Sequence, residues 1–192
     1  MTKVMIIDDD KEWAADTAEY LRKQGLEVVT QTDSSKGIKK VIHEFFDVLV
    51  IDYKLVNDKN KDDGVGVIDK IRQSNLLVPI IFCSGQLEKS ENMGDILIDS
   101  IKLGISDYFS KSKSANELLK LIQKCIDLKT DSILSTYESW YRKIKNKKTP
   151  VIVNSNGDKY TPAKIIDEIK KGTPLGIKLR KDLAKFALKV LN

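Results

Sequence analysis

Five short apolar runs constrain the fold of this chain more than anything else in it. They are "KVMIID" at 3–8, "LEVVTQ" at 26–31, "DVLVID" at 47–52, "PIIFCS" at 79–84 and "SDYFSK" at 106–111. Most are rich in Val and Ile, and polar turns bound them. Such runs fit parallel strands covered on both faces. The stretches between them read as helices. "KEWAADTAEYLRKQG" sets Trp13, Thr17, Tyr20 and Leu21 near one face and stops at Gly25. "DSSKGIKKVIHEFF" opens with a cap candidate at Asp33. "GVGVIDKIRQ" follows a polar loop, and "DILIDSIKLG" ends at Gly104. Five strands alternating with helices predict a doubly wound α/β sheet, and right-handed crossovers leave few topologies open. Ligands of such sheets bind outside the carboxyl ends of the strands.

Beyond Ser114 the pattern changes. No Gly or Pro follows until Pro150, which predicts one long helix or two with a joint near Lys129–Ser132. Ile133, Tyr137, Trp140 and Ile144 form a short heptad-like stripe. It suits a helix packed on its own C-terminal module, or a connector that pairs with a second copy. "VIVNSNGDKYT" reads as a hairpin with Asn156-Gly157 in its turn. Thr161-Pro162 fits a capped helix start, and Gly172 fits its end. A second helix from Pro174 would carry Leu179, Leu183, Phe186, Ala187 and Val190. The expected organisation is an α/β domain over 1–127, a connector helix over 128–148 and a small α+β module of one hairpin and two helices over 149–192.

Charge supports the division. Residues 131–192 hold 14 Lys/Arg against 6 Asp/Glu, whereas residues 1–130 hold 19 against 22. No apolar run approaches the ~18 residues of a membrane span, and the N-terminus turns acidic too early for a signal peptide. Cys83 and Cys125 lie in apolar stretches and read as small core residues of a reduced, cytoplasmic protein. His43 lies in a helical pattern and reads as a structural or surface histidine rather than a catalytic or metal-binding one.

The chemistry gathers where the strands end. The first run finishes in Asp8-Asp9-Asp10, the third in Asp52, the fourth in Ser84 and the fifth in Lys111. In a parallel sheet these ends converge on one rim. Carboxylates gathered there repel one another and need a cation, and an all-oxygen site suits Mg²⁺. A carboxylate beside Mg²⁺ and a lysine can accept a phosphoryl group if its oxygen is exposed and in line with the leaving group. Ser84 can donate a hydrogen bond to a phosphoryl oxygen, with Gly85 leaving room for the backbone.

These residues, in this order at successive strand ends, resemble the receiver domain of two-component response regulators over about residues 1–125. The resemblance implies a flavodoxin-like sheet of order 2-1-3-4-5. It implies that Asp8 and Asp9 hold Mg²⁺ together with Asp52 and the Lys54 backbone carbonyl. Asp52 becomes the acceptor of a phosphoryl group from a histidine kinase, Lys111 the phosphate-binding lysine, Ser84 the hydroxyl switch and Tyr108 the aromatic switch. Such a domain is a signalling switch rather than an enzyme. Asp10 fits a solvated or helix-capping carboxylate. The chain departs from the family pattern in having Ser112 after the lysine, and in its long segments after Asp52 and after Ser84.

The output is expected to act by protein interaction, with a downstream partner or as a homodimer. Duplex DNA is a second candidate on charge, although the basic residues are spread over helices and loops. An aspartyl-nucleophile, Mg²⁺-dependent phosphatase is a third, because Asp8-x-Asp10 has the spacing of its paired acids. "GVG" at 64–66 is too little for a nucleotide loop.

Overall fold

A computed structural model describes residues 1–55, 63–74, 78–85, 93–143, 146–153 and 157–179. The chain forms two compact units, Met1–Ile126 and Asp127–Asn192.

In the first unit the five apolar runs form one sheet. Its strands are β1 (Lys3–Ile7), β2 (Glu27–Gln31), β3 (Val48–Asp52), β4 (Ile80–Ser84) and β5 (Asp107–Ser110). They pair in the order β2-β1-β3-β4-β5, all parallel. The helices between them are α1 (Lys11–Lys23), α2 (Ser34–His43), α3 (Gly64–Gln73) and α4 (Met93–Lys102), and α5 (Ala115–Lys143) follows β5. Alternate strand residues feed two cores. Val4, Ile6, Val48, Val50, Ile81 and Cys83 pack with α1 and the first turns of α5. Met5, Ile7, Leu49, Ile51, Ile80 and Phe82 pack with α2 and α3. Burial on both faces explains why the runs are continuously apolar rather than alternating.

Side-chain caps set the helix starts. Asp10, Asp33 and Asp63 accept from the backbone N–H groups of Trp13, Lys36 and Gly66. Such caps satisfy N–H groups that have no partner within the helix. Gly64 is required by packing: a Cβ there would stand 2.1 Å from the Asp52 carbonyl oxygen. The start of α3 thus lies directly against the backbone at the end of β3.

Of the two readings after Ser114 the single helix is the one found: α5 runs to Lys143 without a joint near Lys129–Ser132. The helix ends earlier than the expected connector boundary at 148, and residues 147–149 form a turn. There the Asn146 side chain accepts the Lys148 N–H, a local bond that competes with helix continuation. The side chains of Ile133, Tyr137 and Trp140, and all of Ile144, lie outside the described residues, as do Asn156 and the helix positions beyond Leu179.

In the second unit, β6 (Ile152–Val153) and β7 (Lys159–Tyr160) pair antiparallel, and α6 (Pro162–Lys171) follows. Thr161 caps α6, Pro162 opens it and Gly172 closes it at φ 59°. The chain is helical again over 174–179. Tyr160, Ile165, Ile169 and Leu179 make a small core, with Leu134, Ile152 and Leu175 against it. Among the described residues no helix is long and apolar enough to cross a membrane.

Candidate functional site

Register brings the rim together. Ile7 lies opposite Ile51 in the β1–β3 pair, so the next residues, Asp8 and Asp52, stand side by side. Ser84 lies opposite Ser110 in the β4–β5 pair, so Lys111 begins just past the same edge. The Lys111 N–H donates to the Ser84 carbonyl at 2.9 Å. Where Pro is usual in the family, Ser112 instead shares a 2.8 Å hydroxyl hydrogen bond with Ser110.

Asp8, Asp9 and Asp52 each offer a carboxylate oxygen within 4.8 Å of the others. Lys111 Nζ lies 2.7 Å from Asp8 Oδ2 and 3.0 Å from Asp52 Oδ1. The Lys54 N–H donates to Asp52 Oδ2 at 3.0 Å, which brings the Lys54 backbone to the site. Asp8 is 1% exposed and Asp52 4%. The openness that nucleophilic attack needs at Asp52 is therefore not met in this conformation, because the carboxylate is enclosed and carries the Lys111 ammonium. Ser84 is also buried at the end of β4. Tyr108 lies opposite Phe82 and packs against the core on the α2 and α3 face.

The electrostatics follow from this crowding. Burial, reinforced by the Asp8 charge and opposed by Lys111, pushes Asp52 up to about 7. Burial also raises Asp8, against its bonds to Lys111. For Lys111, burial works to lower the pKa, but the hydrogen bond to Asp8 and the two carboxylate charges outweigh it and raise it. Two buried carboxylates share the Lys111 ammonium, and the Asp9 carboxylate stands beside them. The donors of this cluster are hard oxygens, and a small divalent cation would relieve the repulsion.

Asp10 does not join them. It is exposed and its Oδ1 accepts the Trp13 N–H at 3.0 Å. The Asp8-x-Asp10 spacing is thus divided between the rim and a helix cap. One neighbour was not singled out for the site by its sequence: the Trp13 ring centre lies 4.8 Å from Lys111 Nζ. Its position three residues after a capping Asp was the available signal.

A parallel sheet of this order, with a buried cluster of acids and one lysine at its carboxyl rim, defines a receiver fold. The family model for the response regulator receiver domain matches residues 4–123, and the chain belongs to that family. It is 31% identical over 119 residues to the alkaline phosphatase synthesis transcriptional regulatory protein PhoP of Bacillus subtilis, covering 62% of this chain and 46% of that one. It is 25% identical over 121 residues to the transcriptional regulatory protein DltR of Streptococcus agalactiae, covering 63% and 50%. The chain thus spans about half the length of these curated relatives. A CheY-like receiver domain protein from Methanospirillum hungatei superposes with a TM-score of 0.57 at 24% identity, over 66% of this chain and 94% of that one. The Francisella response regulator 1452 receiver domain does so equally, over 66% and 98%. These two structures support the fold.

Proposed function

We propose that this is a cytoplasmic response regulator that takes a phosphoryl group onto Asp52 from a histidine kinase and passes the change to its C-terminal unit. The observation that carries the reading is the convergence of Asp8, Asp9 and Asp52 on one rim with Lys111 across two of them. Asp8, Asp9, Asp52 and the Lys54 carbonyl would hold Mg²⁺, whose role when bound is to neutralise phosphoryl oxygens. Asp52 supplies the attacking oxygen: a bond forms from it to phosphorus as the bond from phosphorus to the donor's imidazole nitrogen breaks. Lys111 and the Ser84 hydroxyl then meet phosphoryl oxygens, and Tyr108 turns toward the space that Ser84 leaves. The group adds about −1.5 to −2 charges. Moving a two-state domain from 1:99 to 99:1 takes about 5.5 kcal/mol, which a few charge-assisted hydrogen bonds of about 1.5–3 kcal/mol can supply.

For the output, protein interaction is favoured, with a downstream partner or a second copy. Several described cations of the second unit are engaged within it: Lys170 with Glu138, Lys171 with Asp167, and Lys164 over the Tyr160 ring. The names of the curated relatives favour duplex DNA as the second reading, together with two helical segments joined at Gly172.

Treatment with acetyl phosphate and Mg²⁺ tests the first part by intact mass. One phosphoryl increment, absent in Asp52→Asn, is expected. Steady release of phosphate from a phosphomonoester, or no increment at all, would overturn it. A changed elution volume on phosphorylation would support self-association, and salt-dependent binding to duplex DNA would support the second output.

A further inference from the structure

Among the described residues three groups hold Lys111, and two of them are acids. The Lys111 ammonium contacts Asp8 and Asp52 and also lies over the Trp13 ring. The ring is well placed to hold it. Trp13 is the third residue of α1, and its N–H is bound to the Asp10 cap. Helical side chains lean toward the N-terminus, which here lies at the carboxyl rim just beyond β1. The indole is half-buried and packs against the core beneath α1, so it cannot swing freely.

The two kinds of contact differ in what happens to them during phosphorylation. On the proposed reading, Asp8 and Asp52 must release the ammonium as they take up a metal ion and a phosphoryl group. The ring face competes for neither and keeps its attraction for a cation. We infer that Trp13 is a positioning residue for the phosphoryl site: its indole face retains the Lys111 ammonium at the rim while the carboxylates exchange partners. Without it, the freed four-carbon side chain would explore solvent before meeting a phosphoryl oxygen. The inference rests on the phosphoacceptor reading and adds to it a residue outside the set of acids, hydroxyl and lysine.

The test measures binding of beryllofluoride, a phosphoryl analogue, to the full chain with Mg²⁺ by calorimetry. Trp13→Leu is expected to weaken binding roughly two- to thirtyfold, the range of a cation–π contact between exposed and desolvated settings. Trp13→Phe retains a ring face and should lose less. In a Lys111→Met background, Trp13→Leu should have no further effect. Trp13→Leu binding at wild-type strength would overturn the inference. So would an equal loss in the Lys111→Met background, which would reduce the ring to packing.

Fluorescence supplies a readout that does not depend on the Leu variant folding. The chain has two tryptophans, so Trp140→Phe leaves Trp13 as the single reporter. Lys111→Met should shift its emission, because the ammonium leaves the ring, and the wild-type emission should keep the signature of the occupied ring when the analogue binds. A wild-type emission that moves on binding to that of the Lys111→Met chain would overturn the proposal. If the wild-type chain neither binds the analogue nor takes up a phosphoryl group, the phosphoacceptor reading falls and this inference falls with it. If it does both and the Trp13 variants are silent, only the inference falls.

Discussion

The two ends of β1 contain almost the same ingredients and behave differently. At its start, Lys3 reaches Glu27 at 2.9 Å and Glu44 at 3.2 Å, with its ammonium 5.2 Å from the Phe46 ring centre. At its finish, Asp8 and Asp52 meet Lys111, whose ammonium lies over Trp13. The glutamate side chains at the first end are 44% and 38% exposed, whereas the aspartate side chains at the second are 1% and 5%. Water therefore decides the outcome. At the open end, bonds from Lys40 and Lys3 hold Glu44 below its usual range. At the closed end, burial outweighs the lysine and raises both aspartates. A lysine among carboxylates is ordinary surface chemistry when solvated, and a poised, cation-seeking site when enclosed.

The comparison breaks first on its lysines. Lys111→Met leaves two enclosed acids without their counter-charge and should lower stability at pH 8 by about 3–5 kcal/mol. Lys3→Met should barely move the urea midpoint, because its partners are open to water. Similar losses from the two variants would show that the ends do not differ.

Asp52→Asn tests burial with the opposite sign. In the fold Asp52 titrates at about 7, against an ordinary 3.8. Between these values the folded chain keeps a proton that the unfolded chain has released. The penalty for ionisation is absent below about pH 4, grows as pH rises and is complete above about pH 7. The variant should therefore gain on the order of 2–4 kcal/mol at pH 8 and little near pH 4. Urea melts at both values measure this, and a gain independent of pH would contradict it.

Mg²⁺ sharpens the same contrast. At a hundredfold excess over its Kd it should stabilise the chain by about 2.7 kcal/mol. Asp9→Asn should reduce that gain, and Lys3→Met should not. Thermal melts with and without the ion distinguish the two.

Much of the fold was legible for local reasons. Val- and Ile-rich runs announced strands buried on both faces, and the Asp33 and Thr161 caps announced helix starts. The acids Asp8, Asp9 and Asp52 were legible because each follows an apolar run whose end the sheet must bring to one edge. Asp10, chemically the same as its two neighbours, was legible as a cap because it stands at the start of α1 and bonds only three residues on. Other features were not local. Trp13 read as one residue of an amphipathic stripe, and its contact with Lys111 needed α1 packed on the sheet. Nor could the sequence choose between one helix and two after Ser114, because neither Gly nor Pro marked a joint.

The sequence by itself determined which backbone segments are strands and helices and which chemical groups arrive at the rim, since periodicity and capping act over a few residues. Tertiary structure alone decided how deeply those groups lie and which of them touch. Charge energetics depend on distance and water exclusion, and both are set by residues such as 8, 13, 52 and 111 that are far apart in the chain.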